Sequence, residues 1–192
     1  NPYAPELQQK GRLGYDYAMS ILNGALSGFG WGRDKGARSH RLEHYSHFYL
    51  WRDMPKVAAR WKTDAEFARQ RLNGVNPLLI KRIAAIPENF AVDDERLRGV
   101  LPAGFSLTRL LGEGRLFLCD WAALDECPVA FGRFLSAPLA LFWVNEDRVL
   151  MPLAIQLAQS ITTAKVVFTP ADEPWLWLTA RTHVQAADAA LH

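Results

Sequence analysis

The spacing of apolar and polar positions changes rhythm several times along this chain. Over residues 6–26, Leu7, Leu13, Tyr17, Ile21, Leu22 and Ala25 recur at near-helical spacing, which predicts an amphipathic helix with a weak point at Gly14. Thr63-Asp64-Ala65-Glu66 forms a capping box. In it, Thr63 accepts from the amide at the third helical position and Glu66 reaches back. The helix it starts carries Phe67, Ala68 and Leu72 and leaves at Asn73-Gly74, ahead of Pro77. Residues 88–112 are charged and punctuated by turn residues, with a short helix expected over 106–112. After Gly114 the pattern is that of strands. The runs 116–119, 139–144, 149–157 and 165–168 are short and apolar, and Asn145-Glu146-Asp147 joins two of them at hairpin distance. These predict a small antiparallel sheet in which Pro152 marks an edge or a bulge.

The final segment returns to helical spacing. Asp172 is placed to cap, Glu173 and Pro174 suit the first turn, and Leu176, Ala180, Val184, Ala187 and Leu191 make one apolar face. Beside it Arg181, Gln185, Asp188 and His192 form a polar stripe. Neither glycine nor proline ends this helix, so the polypeptide reads as part of something longer.

Composition narrows the classes of function. Hydrophobic residues make up 49% and charged residues 22% of 192, which is globular and long enough for one sizeable domain. A net charge of +2 gives no electrostatic case for nucleic acid as a partner. Cys119 and Cys127 are too few for a disulfide framework, match no zinc spacing and read as two core thiols. No apolar run is long enough to span a bilayer, and a chain that begins at Asn1 leaves the compartment open. The glycines of residues 24–36 surround Phe29 and Trp31. That segment reads either as a lid that meets a lipid interface or as a loop whose aromatics pack inward. His40, His44 and His47 lie in a basic stretch with Arg38 and Arg41, and surface roles outweigh a metal pair there. Phosphate loops, nucleophile elbows and zinc-protease helices are absent from the sequence.

Five segments, in order, resemble the catalytic domain of lipoxygenases, with the bacterial members that lack an N-terminal β-barrel domain looking most similar. They are residues 62–68 (Lys-Thr-Asp-Ala-Glu-Phe-Ala), 71–77 (Arg-Leu-Asn-Gly-Val-Asn-Pro), 136–142, 151–157, and 168–172 running into 177–184 and 188–192. The resemblance implies a mainly α fold with a small antiparallel β-sheet, seen here as the N-terminal portion of the catalytic domain. It divides the chain into a helical, lid-like segment (1–60), helices and turns (61–112), a small β subdomain (113–170) and the start of a metal-binding helix (172–192).

That family inserts O2 into polyunsaturated fatty acids, free or esterified. Non-haem iron abstracts a hydrogen atom from the central methylene of a pentadiene, and the trapped radical becomes a hydroperoxide. The resemblance implies that His192 is the first of two iron-binding histidines spaced five apart, the other donors lying past residue 192. It implies no catalytic residue within this chain beyond that metal ligand. His183, nine residues earlier, points about 180° away on a helix and is not a second donor. Asp188 reads as a structural member of the stripe. The implied partners are a polyunsaturated fatty acid or phospholipid, O2 and the C-terminal remainder, with peripheral membrane contact through residues 1–36. Two other readings stay open: a hydroperoxide isomerase on the same fold, or a non-catalytic lipid-binding fragment.

Overall fold

The apolar runs after Gly114 form one antiparallel sheet, and a strand that the sequence did not advertise joins it. The computed structural model describes residues 56–128, 134–160 and 166–192, which fall almost wholly in the unit Ala59–His192. The expected helix over 6–26, the Phe29 and Trp31 segment, the proposed membrane contact and His40, His44 and His47 lie outside the described residues. Strands β1 (Lys81–Arg82), β2 (Leu116–Asp120), β3 (Leu139–Val144), β4 (Leu150–Gln156) and β5 (Val167–Phe168) lie in that spatial order. Each pairs antiparallel with the next. Among the described residues three α-helices accompany them: α1 (Asp64–Asn73), α2 (Leu107–Gly112) and α3 (Pro174–Leu191). The sheet is central in these residues, so the helical majority expected from the sequence is not evident in them.

Both faces of the sheet are covered, which is why its strands read as continuous apolar runs rather than alternating ones. In β3, Leu139, Leu141 and Trp143 join Leu116, Leu118 and Leu153 on one face, packed against Phe90, Leu97, Leu107 and Leu110. Ala140 and Phe142 point the other way with Cys119 and Ile155, into a core shared with Phe67 of α1 and with Trp177, Ala180, Val184 and Ala187 of α3. Phe67 stacks on Phe142 at 5.7 Å between ring centroids, a contact that contributes about 1 kcal/mol beyond the area it buries. Pro152 stands at a bulge. Leu141 pairs with Ala154 but Phe142 with Pro152, so Leu153 is an extra residue in β4, where a missing N–H is tolerated. Gln156 is fully buried in β4. It donates to the carbonyls of Asn89 (2.7 Å) and Ala158 (2.8 Å) and accepts from the amide of Ala91, fastening the loop before α2 to the sheet.

The helix ends depart from expectation in instructive ways. Thr63 does accept from the Glu66 amide at 3.2 Å. The Glu66 carboxylate, however, turns to Arg69, and the box closes on one side only. Leu72 is exposed, while Arg71 takes the buried position one turn after Phe67. On α3 the cap is Glu173, with Pro174 opening the helix. Asp172 instead accepts from the Thr169 amide at 2.6 Å and pairs with Arg96, whose Nε donates to the Val167 carbonyl. Leu176 is exposed and Trp177 buried, so the buried face is rotated toward the polar stripe and takes in Arg181 and Asp188. Cys119 is a core thiol, but Cys127 is exposed.

At Gly74, where α1 ends, a Cβ would sit 2.2 Å from the carbonyl oxygen of Gln70. Backbone would have to move, so Gly74→Ala is expected to destabilise the full-length protein by about 2 kcal/mol, read as a fall in denaturation midpoint at unchanged slope. Burial works to raise the pKa of Asp172, but hydrogen bonds from Arg96 and Thr169 hold it below its ordinary value of 3.8. Its contribution is therefore complete above that value and fades as the pH falls through the lower folded-state one. Discounted for the part-exposed Arg96, the pair is worth about 1 kcal/mol. Asp172→Asn should remove this at neutral pH and flatten the stability profile below pH 3.8.

Candidate metal-binding helix

His192 is the C-cap of helix α3, so the position of that imidazole depends on what grips the helix. The side toward the sheet is apolar: Trp177, Ala180, Val184 and Ala187. The adjoining side faces α1, and there the contacts are polar and follow the same order along both segments. At one end Asp64 accepts from the indole N–H of Trp177 (2.7 Å) and pairs with Arg181 (2.9 Å). In the middle Gln185 donates to Gln70. Beyond it Arg71 donates through Nη2 to Gln185 at 2.5 Å and places Nη1 3.0 Å from Asp188 Oδ2. That last approach is too oblique to count as a hydrogen bond, and it is an ion pair by proximity.

Asn76 completes the set from the turn after α1. Its Nδ2 donates to Asp188 Oδ1 (3.0 Å) and to the Asp188 main-chain carbonyl (2.7 Å). Arg71 and Asp188 have side chains only 2% and 8% exposed. Burial pushes the Arg71 guanidinium below its ordinary value, and the Asp188 charge opposes that loss. The Arg71 cation also lies over the rings of Phe67 and Trp121, at 5.2 and 5.9 Å. Arg181 is likewise lowered by burial, with Asp64 opposing.

His192 ends the polar stripe and is exposed. An imidazole there is a donor type that iron accepts. Asp188 is not free to join it, because Arg71 and Asn76 occupy both carboxylate oxygens. Burial pushes the Cys119 thiol up to about 12, as suits a structural thiol in an apolar core. His183 makes an edge-on contact with Phe134 at 5.8 Å. Among the described residues no three His, Cys, Asp or Glu side chains gather closely enough to hold a metal, so His192 fits iron only as one donor of a larger set. Nor, among them, is any helix long and apolar enough to cross a membrane.

The gripping residues Arg71 and Asn76 fall inside a segment already singled out, yet the sequence reading gave them no role. The available signal was a charged residue four positions after Phe67, on the face that should be buried.

A family model described as Lipoxygenase matches residues 35–192. The chain is 42% identical over 141 residues to the polyunsaturated fatty acid lipoxygenase ALOX15B of Rattus norvegicus, covering 71% of this chain and 21% of that protein. It is 35% identical over 140 residues to the hydroperoxide isomerase ALOXE3 of Mus musculus, covering 71% and 20%. Among solved structures, a lipoxygenase crystallised anaerobically in complex with arachidonate superposes with a TM-score of 0.78 at 28% identity, over 96% of this chain and 29% of that one. The chain spans about a fifth of the length of the curated relatives it matches. It belongs to the lipoxygenase family, and it carries the N-terminal portion of that family's catalytic domain.

Proposed function

We propose that the full-length protein is a non-haem iron dioxygenase that inserts O2 into polyunsaturated fatty acids, free or esterified, to give hydroperoxides. The observation that carries this reading is the family match over residues 35–192, which runs through the sheet and along the whole of α3. When bound, iron supplies the one-electron redox step on which the radical reaction depends. The residues of this chain have simpler tasks. His192 offers one imidazole nitrogen, and the contacts of Arg71 and Asn76 with Asp188 hold the turn before it. The remaining donors belong to polypeptide past residue 192, and the residues that shape the acyl pocket lie mostly outside this chain. Peripheral membrane contact through residues 1–36 remains part of this proposal, with the substrate delivered from a lipid surface.

A second reading has its own support, since a relative of similar identity is named a hydroperoxide isomerase. Such an enzyme would rearrange a fatty acid hydroperoxide without consuming O2. Incubating the full-length protein with linoleate or arachidonate in air separates the two. O2 uptake with growth of the conjugated-diene absorbance is expected of the dioxygenase, whereas turnover of pre-formed hydroperoxide alone would assign the isomerase.

The metal assignment has a separate check. His192→Ala in the full-length protein is expected to lower bound iron at least as much as losing a supporting partner does, about 10- to 100-fold in affinity, with thermal stability of the fold retained. Iron content equal to wild type would remove His192 from the ligand set and leave it as a residue of the helix surface.

A further inference from the structure

We propose that Arg71 is a positioning residue for the metal-bearing helix: with Asn76 it clamps Asp188, and so fixes the turn of α3 that presents His192. This rests on the reading of α3 as the iron-binding helix. Asp188 stands four residues before His192, about 6 Å along the helix axis. Its carbonyl is the one an α-helix pairs with the amide of residue 192. Asn76 holds that same carbonyl at 2.7 Å and the side chain at 3.0 Å, while Arg71 supplies the counter-charge at 3.0 Å. Main chain and side chain of one residue are therefore both held from α1 and the turn after it.

The clamp itself has little freedom. Arg71 sits against the Phe67 and Trp121 rings and is 3% exposed. Gly74 lets the chain turn back against the Gln70 carbonyl, where no side chain fits, and so brings Asn76 to α3. The cost is visible at Arg71, whose Nε is buried without a hydrogen-bond partner. A buried ion pair is a poor source of stability, and apolar residues of similar volume often replace one without loss. What it supplies is register, since Asp188 has one charged partner among the described residues and a shifted helix would leave both charges buried and unpaired. The contacts of Asp64 with Trp177 and Arg181 make an internal control. They join the same two helices, but Arg181 lies about 16 Å of helix before His192.

The test compares full-length variants. Arg71→Met combined with Asp188→Asn removes both charges together and avoids an unpaired one, so it is expected to melt near wild type. The clamp predicts that this variant, loaded with iron, has an altered ferric electron paramagnetic resonance spectrum. Its kcat should fall by about 10-fold while KM for the fatty acid changes less than about twofold, as expected when geometry rather than binding is disturbed. Arg71→Lys, which keeps the charge, should recover part of the loss. Asp64→Asn should lower the melting temperature yet leave spectrum and kcat unchanged. A double variant with wild-type spectrum and kcat would overturn the inference, as would an Asp64→Asn variant equally impaired. Hydrogen exchange at residues 188–192 in metal-free protein should be faster in the double variant than in wild type. Wild-type protein that takes up no metal defeats the catalytic reading alone, because these exchange rates still decide whether the clamp holds the turn.

Discussion

A guanidinium and a carboxylate, both withdrawn from water between α1 and α3, set the terms for the rest of this structure. Neither Arg71 nor Asp188 tolerates burial alone, so the two segments that carry them must meet in one register. That requirement reaches outward. Arg71 is on α1 one turn after Phe67, and Phe67 stacks on Phe142 in β3. Asp188 is on α3 one residue after Ala187, which packs in the same core. The central strand, the first helix and the last helix are therefore tied through a short path of apolar and polar contacts. The apolar part supplies the larger share of stability, at about 1.5–3 kcal/mol for each large side chain buried, and the polar part selects one alignment.

The two faces of the sheet divide this labour. On one, Leu97, Leu107 and Leu110 meet Leu139, Leu141 and Trp143 in a mainly apolar layer, fastened at its margin by Gln156 and bordered by the Arg115 guanidinium over the Trp143 ring. On the other, α1 and α3 lie over Ala140, Phe142 and Ile155 with their polar pairs between them. Apolar contacts of this kind tolerate volume-conserving exchange at small cost. The layer with buried charges has fewer alternatives, and it is the one that carries His192.

Much of this was legible in the residues. The capping residue Thr63, the exit at Gly74, the short helix after Ser106 and the four apolar runs are local signals, and local signals survive into the fold. The misses on the helices share a cause. Asp172 looked like a helix cap, but a tertiary partner, Arg96, claims its carboxylate. Leu176 and Leu72 looked like core, and the helices rotate to bury Arg181 and Arg71 instead because Asp64 and Asp188 await them. Periodicity sees hydrophobicity, not pairs of opposite charge separated by 76 positions or more. The family resemblance was carried by ordered segments, and two of these, around Asn76 and Asp188, turn out to be the two halves of one contact. Strand β1 was missed for a simpler reason: Lys81 and Arg82 have no apolar pattern at all.

That cationic dipeptide has a consequence for how the molecule meets others. It forms the outer border of the sheet beyond β2, with both residues exposed, and the Arg82 guanidinium reaches across to Gly114 at the mouth of β2. A passing strand from another copy would have to lay its backbone beside two like charges on a stretch only two residues long, which is a poor template for pairing. Among the described residues the ladder ends there, and two like charges on so short an edge disfavour edge-to-edge pairing.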